Sequence, residues 1–154
     1  MLSLMYNEII LYLRGETMRI AVIDGQGGGL GKTLVSSLKI ELKEKAFIYA
    51  LGCNSYASKN MYKAGAEEAI FGETNILNFL NSKNFDCIVG PIGIILPGGI
   101  RGDITPAIAE AIFNIECPKF LIPLKMHGIY IPGTSEMNIQ ELIQNIIEEI
   151  KKQS

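Results

Sequence analysis

One histidine, His127, and three scattered cysteines, Cys53, Cys87 and Cys117, leave this chain without the ligand set that a zinc site needs, and no C-x-x-C pair is present. An odd, sparse set of thiols also excludes a disulfide framework and fits reduced cysteines in the cytosol. Tryptophan is absent, and 14 Lys and Arg stand against 16 Asp and Glu. The resulting net charge of −2 lacks the basic face that nucleic acid demands. No apolar run approaches the length of a membrane span, and no segment has the order of a secretory signal. Charged residues make up only 19% against 48% apolar, which is not the composition of a disordered chain, and 154 residues suit one domain. The expectation is a cytoplasmic protein with neither a membrane nor a nucleic-acid partner.

Residues 1–17, MLSLMYNEIILYLRGET, are unlike the rest of the chain, which restarts as Met18-Arg19-Ile20. One reading makes Met18 the natural start, with Arg14-Gly15-Glu16 encoded by purine-rich, ribosome-binding-type codons and residues 18–154 forming the single domain. The other is an amphipathic helix with Ile9, Ile10 and Leu13 on one face. The first reading predicts that protein purified from its own cell has an intact mass starting at Met18. A mass that includes Met1 overturns it.

From Met18 onward, strand and helix patterns alternate. Apolar strands are expected at Ile20–Ile23, Phe47–Leu51, Glu68–Phe71, Asp86–Val89 and Phe120–Ile122, with a short edge strand at Gly128–Ile131. The first helix carries Leu30, Leu34, Val35, Leu38 and Leu42 on one side. Others are expected at Ser55–Ala64, stopped by Gly65, and at Thr74–Ser82, with Ile76, Leu77 and Leu80 inward. Thr105-Pro106 opens the next, because threonine caps well and proline suits the first helical position. Asn138 caps the last, which has Ile139, Leu142, Ile143, Ile146, Ile147 and Ile150 on one face. This order predicts an α/β fold: a single three-layer, Rossmann-like domain with a mainly parallel sheet of five or six strands and helices on both faces. The edge strand and the apolar content make a homodimer an expected assembly.

The most informative stretch is Asp24-Gly25-Gln26-Gly27-Gly28-Gly29-Leu30-Gly31-Lys32-Thr33, five glycines in seven residues between a strand and a helix. Glycines let backbone approach a ligand, and the helix N-terminus behind them offers unpaired N–H groups and a positive dipole end, which together suit phosphate. A phosphate loop of the form G-x-x-x-x-G-K-[ST] would need glycine at Gln26. The variant loop of partitioning ATPases, K-G-G-x-G-K-[ST], resembles Gly28–Thr33 but has Gly27 where its lysine stands, and no later strand ends in a magnesium-binding aspartate. The short-chain dehydrogenase form G-x-x-x-G-x-G fits Gly25, Gly29 and Gly31 with Lys32 following, while that family's Tyr-x-x-x-Lys is absent. Asp24 either contacts ligand or magnesium, or caps the loop's own N–H groups.

In such sheets ligands sit at the carboxyl ends of the strands. Four of the five loops there open with glycine: Gly25, Gly52, Gly72 and Gly90. The second holds Cys53-Asn54-Ser55 and no acid, so Asn54, Ser55 and Lys59 are candidates for a 2′-phosphate, or Asn54 and Ser55 simply cap the helix. The fourth, Gly90-Pro91 to Asp103, is long, with Gly98-Gly99 permitting motion and Arg101 and Asp103 as its charges. Those two are an anion partner and a base, or a surface pair beside a capped helix. Glu73, His127 and Cys53 are weaker candidates at the same edge.

From Met18 to its end the chain resembles a small bacterial family known only as a domain of unknown function. The resemblance is carried by Ile23–Lys32, Ala50–Asn54, Lys63–Ala66, Gly90–Ile94 and Gly102–Pro106. It implies that these segments form one site and implies no activity. The expected ligand is a nucleotide, NADP or NAD first. Expected contacts are Asp24, Gly25, Gly27, Gly28, Gly29, Leu30, Gly31, Lys32, Asn54, Ser55, Gly90 and Pro91, and no metal is expected at them. The alternatives are a nucleoside triphosphate bound by a phosphate loop that uses Lys32 and Thr33, with Mg²⁺ accompanying it, a non-catalytic sensor, or a small reductase using Asp103 or His127.

Overall fold

The computed structural model describes residues 2–13 and 17–153. The Arg14–Glu16 junction lies outside them, as do the side chains of Ile10 and Leu13. Residues of the N-terminal segment form helix α1 (Leu2–Leu13), on which Ile9 is half exposed. After it come β1 (Met18–Asp24), α2 (Gly29–Leu42), β2 (Ala46–Gly52), α3 (Ser55–Lys63), β3 (Glu68–Phe71), α4 (Glu73–Ser82), β4 (Cys87–Pro91), α5 (Pro106–Asn114), β5 (Lys119–Ile122) and α6 (Ile139–Gln153). Among the described residues no helix is long and apolar enough to cross a membrane.

All five strands pair in parallel, in the order β3-β2-β1-β4-β5. Strand alternation sends Ile20 and Val22 to one face, Ala21 and Ile23 to the other. The first face is covered by α2, α3 and α6 through Leu34, Leu38, Met61, Ile143 and Ile147; the second is covered by α4 and α5 through Ile76, Leu80, Ile108 and Ile112. Of these, Leu34, Leu38, Ile76, Leu80, Ile143 and Ile147 are inward positions that the helical spacing predicts. β1 and β4 are buried along almost their whole length, as a parallel strand covered on both faces must be. Thr105 caps α5 by accepting from Ile108 N–H, with Pro106 behind it. Asn138 and Glu141 form a reciprocal capping box at α6.

Two expectations need correction. The stretch Gly128–Ile131 is not a sheet strand: it makes a single antiparallel bridge, Met126 to Ile129, closed by a tight turn with His127 and Gly128 at positive φ. The sheet therefore has five strands among the described residues, and the edge-strand argument for a homodimer does not hold. Nor does β4 stop at Val89. Gly90 and Pro91 pair with Leu121 and Ile122, because the apolar run continues and β5 offers a ladder for it.

The chain leaves β1 toward β2 and β3, and returns through β4 on the other side. The carboxyl ends of β1 and β4 are thus the point where strand order reverses, the place where such sheets bind ligands. The glycine loop and the Ile92–Thr105 connection meet there.

Candidate functional site

Asp24 ends β1 almost fully buried, and its carboxylate turns back onto the loop it precedes. Oδ1 accepts Gly25 N–H at 2.8 Å and Oδ2 accepts Gly31 N–H at 2.7 Å, so it caps the loop's own amides and both oxygens are engaged. Burial raises its pKa above 3.8; the Gly31 and Gly25 amides oppose this, and the charge of Asp103 adds to it.

The rest of the loop is held from other elements. Asp103 Oδ2 accepts Gln26 N–H at 2.6 Å. Asn54 donates to Gln26 O at 3.0 Å while its Oδ1 accepts Ala57 N–H as the cap of α3. Asn60 donates to Gly27 O at 2.7 Å. Asn54 therefore holds the loop and the helix at once, and its side chain is not turned to a ribose phosphate; the exposed Ser55 is beside it. Asn60 is not among the residues that the sequence singles out. A carboxamide at a half-buried position inside α3, where asparagine is disfavoured, is the signal that could have found it.

The glycines divide into two groups. Gly28 sits at φ +66, and a Cβ there would lie 2.9 Å from Ala57 O. A Cβ on Gly31 would lie 2.5 Å from Met61 Sδ and 2.8 Å from Asp24 Cβ, and one on Gly25 would lie 2.8 Å from Asp103 Oδ2. These three let α3, β1 and the β4–α5 segment close on the loop. A Cβ on Gly27 or Gly29 would meet nothing within 4 Å, and both residues are exposed. Among the described residues the amides of Gly27, Gly29 and Leu30 have no intramolecular acceptor, and they cluster at the N-terminus of the 14-residue α2. Beyond them a groove of about 460 Å³ runs over α2 and α3, lined by Lys32, Thr33, Ser36, Ser37, Asn60, Lys63 and Gln140. Thr33 Oγ1 donates back to Gly29 O at 3.0 Å.

Gly90 and Pro91 are buried strand residues, and a Cβ on Gly90 would lie 2.5 Å from Ile23 O. The segment after them is folded down in this structure: Ile94, Ile100 and Ile104 are buried, and a Cβ on Gly99 would overlap Gly93 O. Ile100, Arg101 and Gly102 take positive φ in succession, 52°, 50° and 90°. Such backbone costs an L residue on the order of 1 kcal/mol, and most for a β-branched side chain such as Ile100. Arg101 is exposed, and Asp103 bonds the loop rather than pairing with it.

The candidate nucleophile and proton carriers are poorly placed for chemistry. The Cys53 thiol is pushed up to about 12 by burial and then by the charges of Asp103 and Asp24, so it stays protonated. His127 lies exposed in its turn at Met126–Ile129, and Glu73 is a first-turn residue of α4. No group of three His, Cys, Asp or Glu among the described residues could hold a metal.

Residues 19–154 match the family described as a domain of unknown function, DUF3842, and the chain belongs to it. Among curated proteins none matches the sequence. One similar solved structure is a dodecameric FMN-dependent UbiX-like decarboxylase from Escherichia coli O157:H7. It has 12% identity over 88% of this chain and 93% of that chain, with a TM-score of 0.51. Another is a universal stress protein from Archaeoglobus fulgidus, with 17% identity over 75% of this chain and 99% of that chain and a TM-score of 0.42. The first likeness is one of fold, a parallel α/β sheet.

Proposed function

We propose that the chain binds a nucleotide by its phosphate groups at the exposed lip of the glycine loop, with NADP(H) or NAD(H) as the first candidates. The observation that carries this is the trio of amides of Gly27, Gly29 and Leu30. They have no intramolecular acceptor at a helix N-terminus, with Gly27 and Gly29 exposed, while every neighbouring loop amide has an acceptor. In this reading Gly25, Gly28 and Gly31 shape the loop, Lys32 adds charge beside it, and Ser55 and Lys59 would serve the ribose end of the ligand. A triphosphate with Mg²⁺ fits less well, since Asp24 has both oxygens on backbone amides and Thr33 has its hydroxyl on Gly29 O. The reading is one of binding and names no reaction.

The test is thermal unfolding of the full chain with NADP(H), NAD(H), FMN, ATP and GTP, each with and without Mg²⁺. FMN joins the panel because an FMN-dependent protein is similar in fold. A ligand at 100 times its Kd stabilises by about 2.7 kcal/mol and raises the Tm by roughly 5–11 °C. Gly29→Val removes that rise and leaves the ligand-free Tm nearly unchanged, because a side chain there meets only open space. An unchanged affinity in Gly29→Val takes the loop out of the site, and a rise only with Mg²⁺ and a triphosphate moves the assignment to Lys32 and Thr33.

A further inference from the structure

A carboxylate already occupies one amide of the glycine loop that is proposed to hold phosphate. Asp103 reaches it from 77 residues away, and its Oδ2 lies 2.6 Å from Gln26 N. The turn that delivers it is closed by Gly102 N–H to Gly98 O at 2.9 Å and Ile104 N–H to Gly99 O at 3.0 Å. It holds Ile100 and Arg101 in left-handed backbone. Strained backbone persists only where its surroundings hold it. Here they do so through Ile100, packed on Gly25 and Gly93, and through the Asp103–Gln26 bond. Gly25 has no side chain at the one place where a Cβ would push Asp103 and Ile100 away.

We propose that Asp103 is a built-in competitor for the anionic ligand: its carboxylate latches the strained Gly98–Ile104 turn onto Gln26, and a ligand phosphate that adds the Gln26 N–H to the free amides of Gly27, Gly29 and Leu30 displaces it. This rests on the phosphate reading and extends it to regulation of the same site. The carboxylate opposes the phosphate in two ways, by holding a loop N–H and by placing a negative charge beside Gly27. Displacing it frees the turn to relax from its left-handed backbone and lifts Ile100 from Gly25. Ligand binding and opening of the β4–α5 segment are then one equilibrium, and the apparent affinity is lowered by the fraction of molecules in which the latch is closed.

Isothermal calorimetry of the full chain with inorganic pyrophosphate tests it. Asp103→Ala is expected to bind about tenfold tighter than the native chain, and Asp103→Asn to fall between them because the carboxamide keeps an acceptor without the charge. Hydrogen exchange at Gly102 should quicken in Asp103→Ala and on pyrophosphate binding to the native chain, while Gln26 N–H should quicken in ligand-free Asp103→Ala and stay protected when pyrophosphate is bound. If the native chain binds pyrophosphate and Asp103→Ala binds it equally or more weakly, the latch is wrong and the phosphate site stands. If neither the native chain nor either variant binds, both fall. Should Asp103→Ala lose its native circular dichroism, Asp103→Asn decides by the same comparison.

Discussion

Gly52→Ala is expected to cost about 3 kcal/mol and to lower the melting temperature by roughly 6–12 °C, although it adds one methyl group. Gly52 is the last residue of β2, and α3 begins three residues later. A Cβ there would overlap Ser58 N and lie 2.7 Å from Asn54 O and 2.8 Å from Ser58 Cα. All three are backbone atoms, so no rotamer change makes room and α3 itself has to move. The effect should reach the site, because α3 carries Asn54 and Asn60, the donors to Gln26 O and Gly27 O. Ligand affinity should therefore fall with stability. Gly27→Ala is the control: with nothing within 4 Å of its Cβ, it should change stability by less than about 0.5 kcal/mol. Equal melting temperatures for Gly52→Ala and the native chain would show that α3 is not pressed on the strand end.

Asp24→Ala should be nearly as severe. It leaves the buried amides of Gly25 and Gly31 without an acceptor, and each costs about 1–3 kcal/mol, so a loss of roughly 2–6 kcal/mol is expected. Asp24→Asn should lose about half of that, since one carboxamide face presents a donor to one of the two N–H groups. The aspartate also carries a pH signature of definite sign. Burial holds its pKa in the folded protein above 3.8, the unfolded value, so folding favours the protonated form. That contribution is fully present below 3.8 and is lost as pH rises through the elevated folded value. The stability margin of the native chain over Asp24→Asn should accordingly be widest in acid and narrow toward neutrality, read from urea midpoints of both proteins. A margin that widens with rising pH would reverse the assigned cause.

The glycine loop is legible in the sequence because its signal is local: an apolar strand, five glycines and an amphipathic helix are contiguous in the chain. Helices α2 and α6 on one face of the sheet are equally legible, since Leu34, Val35, Leu38 and Leu42 or Ile143, Ile146, Ile147 and Ile150 repeat at the helical period and are all buried. The end of β4 is not, because Gly90-Pro91 has the composition of a turn, and only the ladder to Leu121 and Ile122 makes it strand. The reason for Gly99 is hidden from the sequence in a related way. Glycine in a sequence reports freedom, but Gly99 is there because Gly93 O leaves no space for a side chain.

The sequence by itself determined the alternation of strands and helices and the place of the strand–glycine–helix segment, because each depends on residues within a few positions of one another. Tertiary structure alone decided which glycines are needed for packing and which are open, since Gly28 and Gly31 are closed by Ala57 and Met61 of a different helix. It also decided that Asp24 faces inward and that Asp103, 77 residues from Gln26, sits on the loop. Those outcomes depend on strand order: only when β4 lies beside β1 does the segment after β4 reach the glycine loop, and spacing along a chain carries no record of that neighbour.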